Sequence, residues 1–152
     1  MYFSYGQFLL YDSQEDLPGC AWEEPHFRQG FARRRNCASF LTLDQFGDAK
    51  LDVTIGPYRS RDHHVRVIAV SIEIDSGLVM VEGPEEYGEN RGFRLAPGTY
   101  RVTVGQSEFS REIDISFDLD GSGFRESEIL LCDDDLEPSD LLLEECGVAG
   151  GA

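Results

Sequence analysis

Three groups of carboxylates are the residues of this chain best placed to do chemistry. Asp114, Asp118 and Asp120 fall at even spacings, which puts them on one face of a strand or its end. Asp133, Asp134, Asp135 and Glu137 form a run, and Asp140, Glu144 and Glu145 follow at helical spacing. Thirteen of the 29 Asp and Glu residues lie from Glu112 onward, where the only base is Arg125. Of the net charge of −16, all but −4 therefore falls after residue 111. Held on a rigid strand, carboxylates at phosphate-like separations present the charge pattern of a nucleic-acid backbone and attract a basic cleft. A solvated tail serving solubility is the competing reading.

Other residue patterns point to other chemistry. In Asp118–Gly123, the oxygens of Asp118, Asp120 and Ser122 alternate and glycine stands sixth, as in the first half of a calcium loop. The twelfth position holds Ile129, with Glu128 one step early, and the flanks have strand patterns. A glycine-rich hairpin turn between Leu119 and Ile129 is thus the alternative to a divalent-cation site. His63 and His64 are adjacent, so on a strand they would point to opposite faces and chelate poorly; with His26 they read as surface or strand-end histidines. Arg33-Arg34-Arg35 is the one basic run and reads as a solvated loop. The chain has no nucleophile elbow and no phosphate-binding glycine loop. Neither catalysis nor a cofactor is expected.

The elements that must position these side chains are strands. A chain of 152 residues with 41% apolar residues, 10 Phe and 6 Tyr can bury a core, and one domain over residues 1–146 is expected, with 147–152 a frayed tail. Alternation marks Tyr2–Leu10, Cys37–Phe46, Leu51–Ile55, Val65–Ile74, Leu78–Val81, Phe93–Leu95, Tyr100–Val104 and Ile113–Leu119 as strands, with Val65–Ile74 central. Asp75-Ser76-Gly77 predicts a hairpin between two of them, and Ile129–Cys132 is a candidate partner for Ile113–Leu119. Glu82–Gly92 reads as a loop. Trp22–Gln29 predicts a turn or two of helix, and Ser139 could cap another from Asp140 to Cys146, stopped by Gly147. The fold class is all-β: an antiparallel β-sandwich with one or two short helices.

Composition narrows the partners. A balance so far toward acid excludes direct nucleic-acid binding. No apolar run reaches the ~18 to 20 residues of a membrane span, and the aromatic N-terminus lacks the basic start and cleavage site of a signal peptide. A cytoplasmic protein follows, with Cys20, Cys37, Cys132 and Cys146 as reduced thiols. Open sandwich edges permit a homodimer.

The opening Phe3-Ser4-Tyr5-Gly6-Gln7-Phe8-Leu9-Leu10-Tyr11 resembles the start of the ComJ family, competence proteins that inhibit the nuclease admitting DNA. Pro18, Trp22, Gly30-Phe31-Ala32 and Ser39-Phe40 follow in the family's order, and Phe93–Tyr100 is similar to its strand–turn–strand. The resemblance implies an inhibitor without catalysis of its own, with a basic nuclease as partner, either the competence enzyme or a nuclease toxin met by an immunity protein. It names no contact residues. Tyr5, Phe8, Trp22, Phe31 and Tyr100 are assigned to the core or scaffold. The carboxylates of Asp114, Asp118, Asp120, Asp133, Asp134, Asp135, Glu137, Asp140, Glu144 and Glu145 are the expected contacts. A calcium-dependent binding module on Asp118–Gly123, or a scaffold domain whose acid serves solubility alone, are the rival readings.

Overall fold

Two five-stranded sheets face each other in the computed structural model, which describes residues 1–85, 92–108 and 111–149. The first runs β10 (Gly92–Arg94), β9 (Leu78–Glu82), β2 (Gln7–Asp12), β5 (Cys37–Leu41), β4 (Phe31–Arg34). The second runs β13 (Glu128–Leu131), β8 (His64–Ile74), β11 (Gly98–Ser107), β12 (Glu112–Leu119), β7 (Lys50–Ile55). Two small ladders complete it: β1 (Tyr2–Phe3) with β6 (Gly47–Asp48), and β14 (Gly147–Val148) with β3 (Cys20–Ala21). The one helix among the described residues, α1 (Glu24–Gln29), begins beside Pro25 and ends at Gly30, whose φ of 84° suits glycine.

Period-two alternation sets the core. Ile68, Val70, Ile72 and Ile74 of β8 share a face with Tyr100, Val102 and Val104 of β11 and Ile113, Ile115 and Phe117 of β12. Phe8, Leu10, Phe31 and Phe40 meet them from the other sheet, and Phe8 stacks on Phe40 at 5.4 Å. Each fully buried Phe contributes about 1.5–3 kcal/mol relative to exposure.

Several sequence expectations are corrected. The first strand is broken: Tyr5 (φ 55°) and Gly6 (φ 64°) reverse the chain between β1 and β2. Tyr5, assigned to the core or scaffold, is 71% exposed. Asp75-Ser76-Gly77 is not a hairpin. It hands the chain from one sheet to the other, because Asp12 of β2 accepts the backbone N–H groups of Asp75 and Ser76. β13 pairs with β8 and not with β12, and β7 pairs with β12 in parallel. No helix covers Asp140–Cys146. That segment's backbone is held by side chains: Gln29 brackets Leu143 through both its N–H and its carbonyl, Arg33 bonds the Glu144 carbonyl, and His26 the Glu145 carbonyl. Those groups are then engaged outside any helical ladder. The expected fraying at Gly147 is replaced by pairing of Gly147 and Val148 with β3; residues 150–152, like 86–91 of the expected loop, lie outside the described residues.

The buried basic side chains are met by internal partners. His26 is fully buried, and His64 is 5% exposed. Arg33 (4% exposed) donates to the Ser71 and Glu144 carbonyls and lies 4.9 Å over the Phe124 ring. Arg34 donates to the carbonyls of Leu17 and Gly19. Only Arg35 of the expected solvated run is exposed. Residues 120–149 thus form a strap across the β8 edge and back to β3.

Candidate functional site: an acidic groove

The three-residue acidic run closes one wall of a groove. Asp133, Asp134 and Asp135 follow β13 and face Asp44 and Glu108 across a cavity of about 570 Å³, with Leu43, Val65 and Leu131 as apolar lining. The wall is fixed from below. Arg66 reaches out of the core side of β8 and grips both Asp133 oxygens, at 2.7 and 2.9 Å, while also donating to the Leu41 carbonyl. Burial opposes the charge on Asp133, but the hydrogen bonds and charge of Arg66 outweigh it and hold its carboxyl below the usual range. Asp44 lies 3.4 Å from the half-exposed Arg111. Among the described residues, no cation lies within ion-pair distance of Glu108, Asp134 or Asp135.

The exposed aromatics Tyr5 and Phe46 lie on two turns that are hydrogen-bonded together, one of which carries the groove residues Leu43 and Asp44. The Tyr5 turn is tied to the loop after β5, where Gly6 N–H donates to the Gln45 carbonyl at 2.7 Å and Thr42 N–H to the Gly6 carbonyl at 2.8 Å. Phe46 in that loop is 67% exposed. Exposed rings on segments joined to an acidic groove give a surface that can bury area while meeting positive charge.

The ten carboxylates picked from sequence do not gather at one place. Asp133, Asp134 and Asp135 line the groove. Asp114 accepts from His64 and lies 3.8 Å from Arg61. Asp118 is half-buried on the outer face of β12, opposite Arg101. Glu144 accepts from the N–H and hydroxyl of Ser127. Glu137, Asp140 and Glu145 are exposed along the strap, Glu145 lying 3.7 Å from Arg33. Composition does not mark Asp44 and Glu108, which lie before the acid-rich stretch that starts at Glu112.

The turn considered for calcium is occupied by its own chain. One Asp120 oxygen accepts the N–H and hydroxyl of Ser122, and the other lies 3.6 Å from Arg125. The Ser122 hydroxyl and N–H hold the Asp120 carboxyl below its usual range. Ile129, at the twelfth position, is paired in β13.

The described residues thus form an all-β sandwich that carries an acidic groove. The family model for competence protein J (ComJ) matches residues 1–122, and the chain belongs to that family. It is also similar to the crystal structure of ComJ, inhibitor of the DNA degrading activity of NucA, from Bacillus subtilis: TM-score 0.66, 14% identity, covering 79% of this chain and 94% of that one. No curated protein matches. The strap beyond residue 122, with Asp133–Asp135, lies outside the family match. No helix of the described residues is long and apolar enough to cross a membrane.

Proposed function

We propose that this protein binds and inhibits a nuclease, does no chemistry itself, and acts in the cytoplasm. Glu108, Asp134 and Asp135 enter the enzyme's basic DNA-binding cleft, where they take the place of phosphates. Tyr5 and Phe46 bury apolar area at the rim. Glu137, Asp140 and Glu145 steer the approach. Asp114, Asp120, Asp133 and Glu144 hold the scaffold through their internal hydrogen bonds. The observation that carries this reading is the groove itself, concave and acidic, in a member of the ComJ family. The Bacillus subtilis protein named as an inhibitor of NucA supports the class of partner.

The test is inhibition of a purified nuclease from the same cell, with binding followed by stopped flow. The triple variant Glu108→Gln, Asp134→Asn, Asp135→Asn should keep its circular dichroism and lose about 10- to 100-fold in association rate in dilute buffer. Full nuclease activity in the presence of excess wild-type protein would overturn the proposal.

A further inference from the structure

We propose a zinc site formed by His63, His64 and Asp114, with Glu112 as the fourth ligand. The sequence argued against it, because adjacent residues on a strand diverge. In the structure β8 begins at His64, and His63 belongs to the preceding turn, so the divergence rule does not govern the pair. One ligand atom from each of His63, His64 and Asp114 lies within 4.8 Å of the others. His63 Nε2 is 3.5 Å from a Glu112 oxygen. Tetrahedral bonds of about 2.0–2.1 Å put ligand atoms about 3.4 Å apart, which small side-chain rotations reach from here. Two imidazole nitrogens and two carboxylate oxygens suit zinc, whereas calcium and magnesium favour sets made of oxygen alone.

The most buried ligand is already oriented. The His64 side chain is 1% exposed and lies against Gly105, where an added Cβ would come within 2.5 Å of the ring. Gly105 pairs with Asp114 on β12, so the gap it leaves seats the imidazole beside that carboxylate. Tyr58 stacks near the ring, with centroids 5.9 Å apart, and its hydroxyl is 2.9 Å from Nδ1. Without metal, His64 Nε2 is hydrogen-bonded to Asp114 and Nδ1 to the Tyr58 hydroxyl. With metal, Nε2 gives its lone pair to the ion, the ring proton resides on Nδ1, and the Tyr58 oxygen accepts it. Such an outer hydrogen bond fixes ring and tautomer in zinc proteins. Arg61, half exposed and 3.8 Å from Asp114, must withdraw, and Asp52 at 4.0 Å offers it another partner.

His64 also lines the acidic groove, but zinc binding does not depend on the nuclease reading, and either can fail alone. The experiment is calorimetric titration of the untagged full chain with zinc chloride in chelator-free buffer, followed by the cobalt(II) spectrum. One equivalent of zinc should bind, with no comparable heat from calcium or magnesium. The cobalt form should show visible bands of tetrahedral nitrogen and oxygen ligation without thiolate charge transfer. His63 is 48% exposed, so His63→Ala should keep the fold and weaken zinc binding at least tenfold. Absence of saturable zinc binding, undiminished affinity in His63→Ala, or a thiolate band in the cobalt spectrum would each overturn the proposal.

Discussion

Arg66 is 2% exposed on β8, so its charge has to be met inside the protein. Asp133 meets it with both oxygens. Removing one partner of such a pair leaves an uncompensated charge, and Asp133→Ala should cost about 3 kcal/mol, the low end of the range because the carboxylate keeps some solvent contact. Equilibrium urea unfolding at neutral pH checks this. The pH dependence has a definite sign. The Asp133 carboxyl is held below its unfolded value, so its contribution is full above an ordinary carboxyl pKa of about 4 and is lost as pH falls through the lower folded value. The stability gap between wild type and Asp133→Ala should therefore narrow in acid. Tyr5 poses a different problem. A non-glycine residue at φ 55° is strained, and its ring is exposed. In Tyr5→Gly, relief of strain and the greater freedom of the unfolded chain oppose each other, so stability should shift by less than about 1 kcal/mol. Affinity for the nuclease should fall by about 2 kcal/mol, the scale of an aromatic anchor. Parallel thermal unfolding and binding measurements separate the two effects.

At the scale of elements, the strap depends on three buried side chains that no periodicity marks. Gln29 is 2% exposed, donates to the Phe31 and Leu143 carbonyls, and accepts from Leu143 N–H. Gln29→Ala would leave Leu143 without partners at a cost of about 1–3 kcal/mol. The loss should appear by hydrogen exchange as faster exchange at Leu143 and β14, with β8 and β11 still protected. This dependence also shows why the sequence disclosed the strands better than their partners. Alternation within Val65–Ile74 or Ile113–Leu119 is local and identifies each strand and its inward face. Pairing of β13 with β8 rests on Ser71 holding both backbone groups of Arg125, and on Arg101 reaching Glu126 and Glu128; contacts so distant in sequence leave no pattern along it. Helical spacing at Asp140–Cys146 misled for the same reason, since Gln29, Arg33 and His26 claim that backbone first. The candidate site was half legible. The run Asp133–Asp135 announced itself by composition, but Asp44 and Glu108 reach the groove only through loops whose placement the fold decides.

For the whole molecule, a net charge of −16 gives binding and stability opposite responses to salt. Within the folded protein, Asp134, Asp135 and Glu108 crowd one groove with no described cation within ion-pair distance of them, and Asp134, Glu137 and Asp140 lie exposed along one strap. Their repulsion acts over about 30 Å at 10 mM salt and about 8 Å near 150 mM. Unfolding lets those charges separate, so dilute buffer favours the open chain. The midpoint of thermal unfolding should therefore rise as sodium chloride is raised over that interval. Buried pairs such as Arg66–Asp133 are screened little and oppose this only weakly. Attraction to a cationic cleft has the reverse dependence, so association with the nuclease should slow over the same interval. The triple variant at Glu108, Asp134 and Asp135 joins the two effects. It should unfold at a higher temperature than wild type in dilute buffer, converge with it as salt rises, and lose most of the salt dependence of its association rate. A scan of melting temperature and stopped-flow rate against ionic strength for both proteins measures this. If the variant kept the wild-type slope in both, the charge that governs the molecule would lie outside the groove.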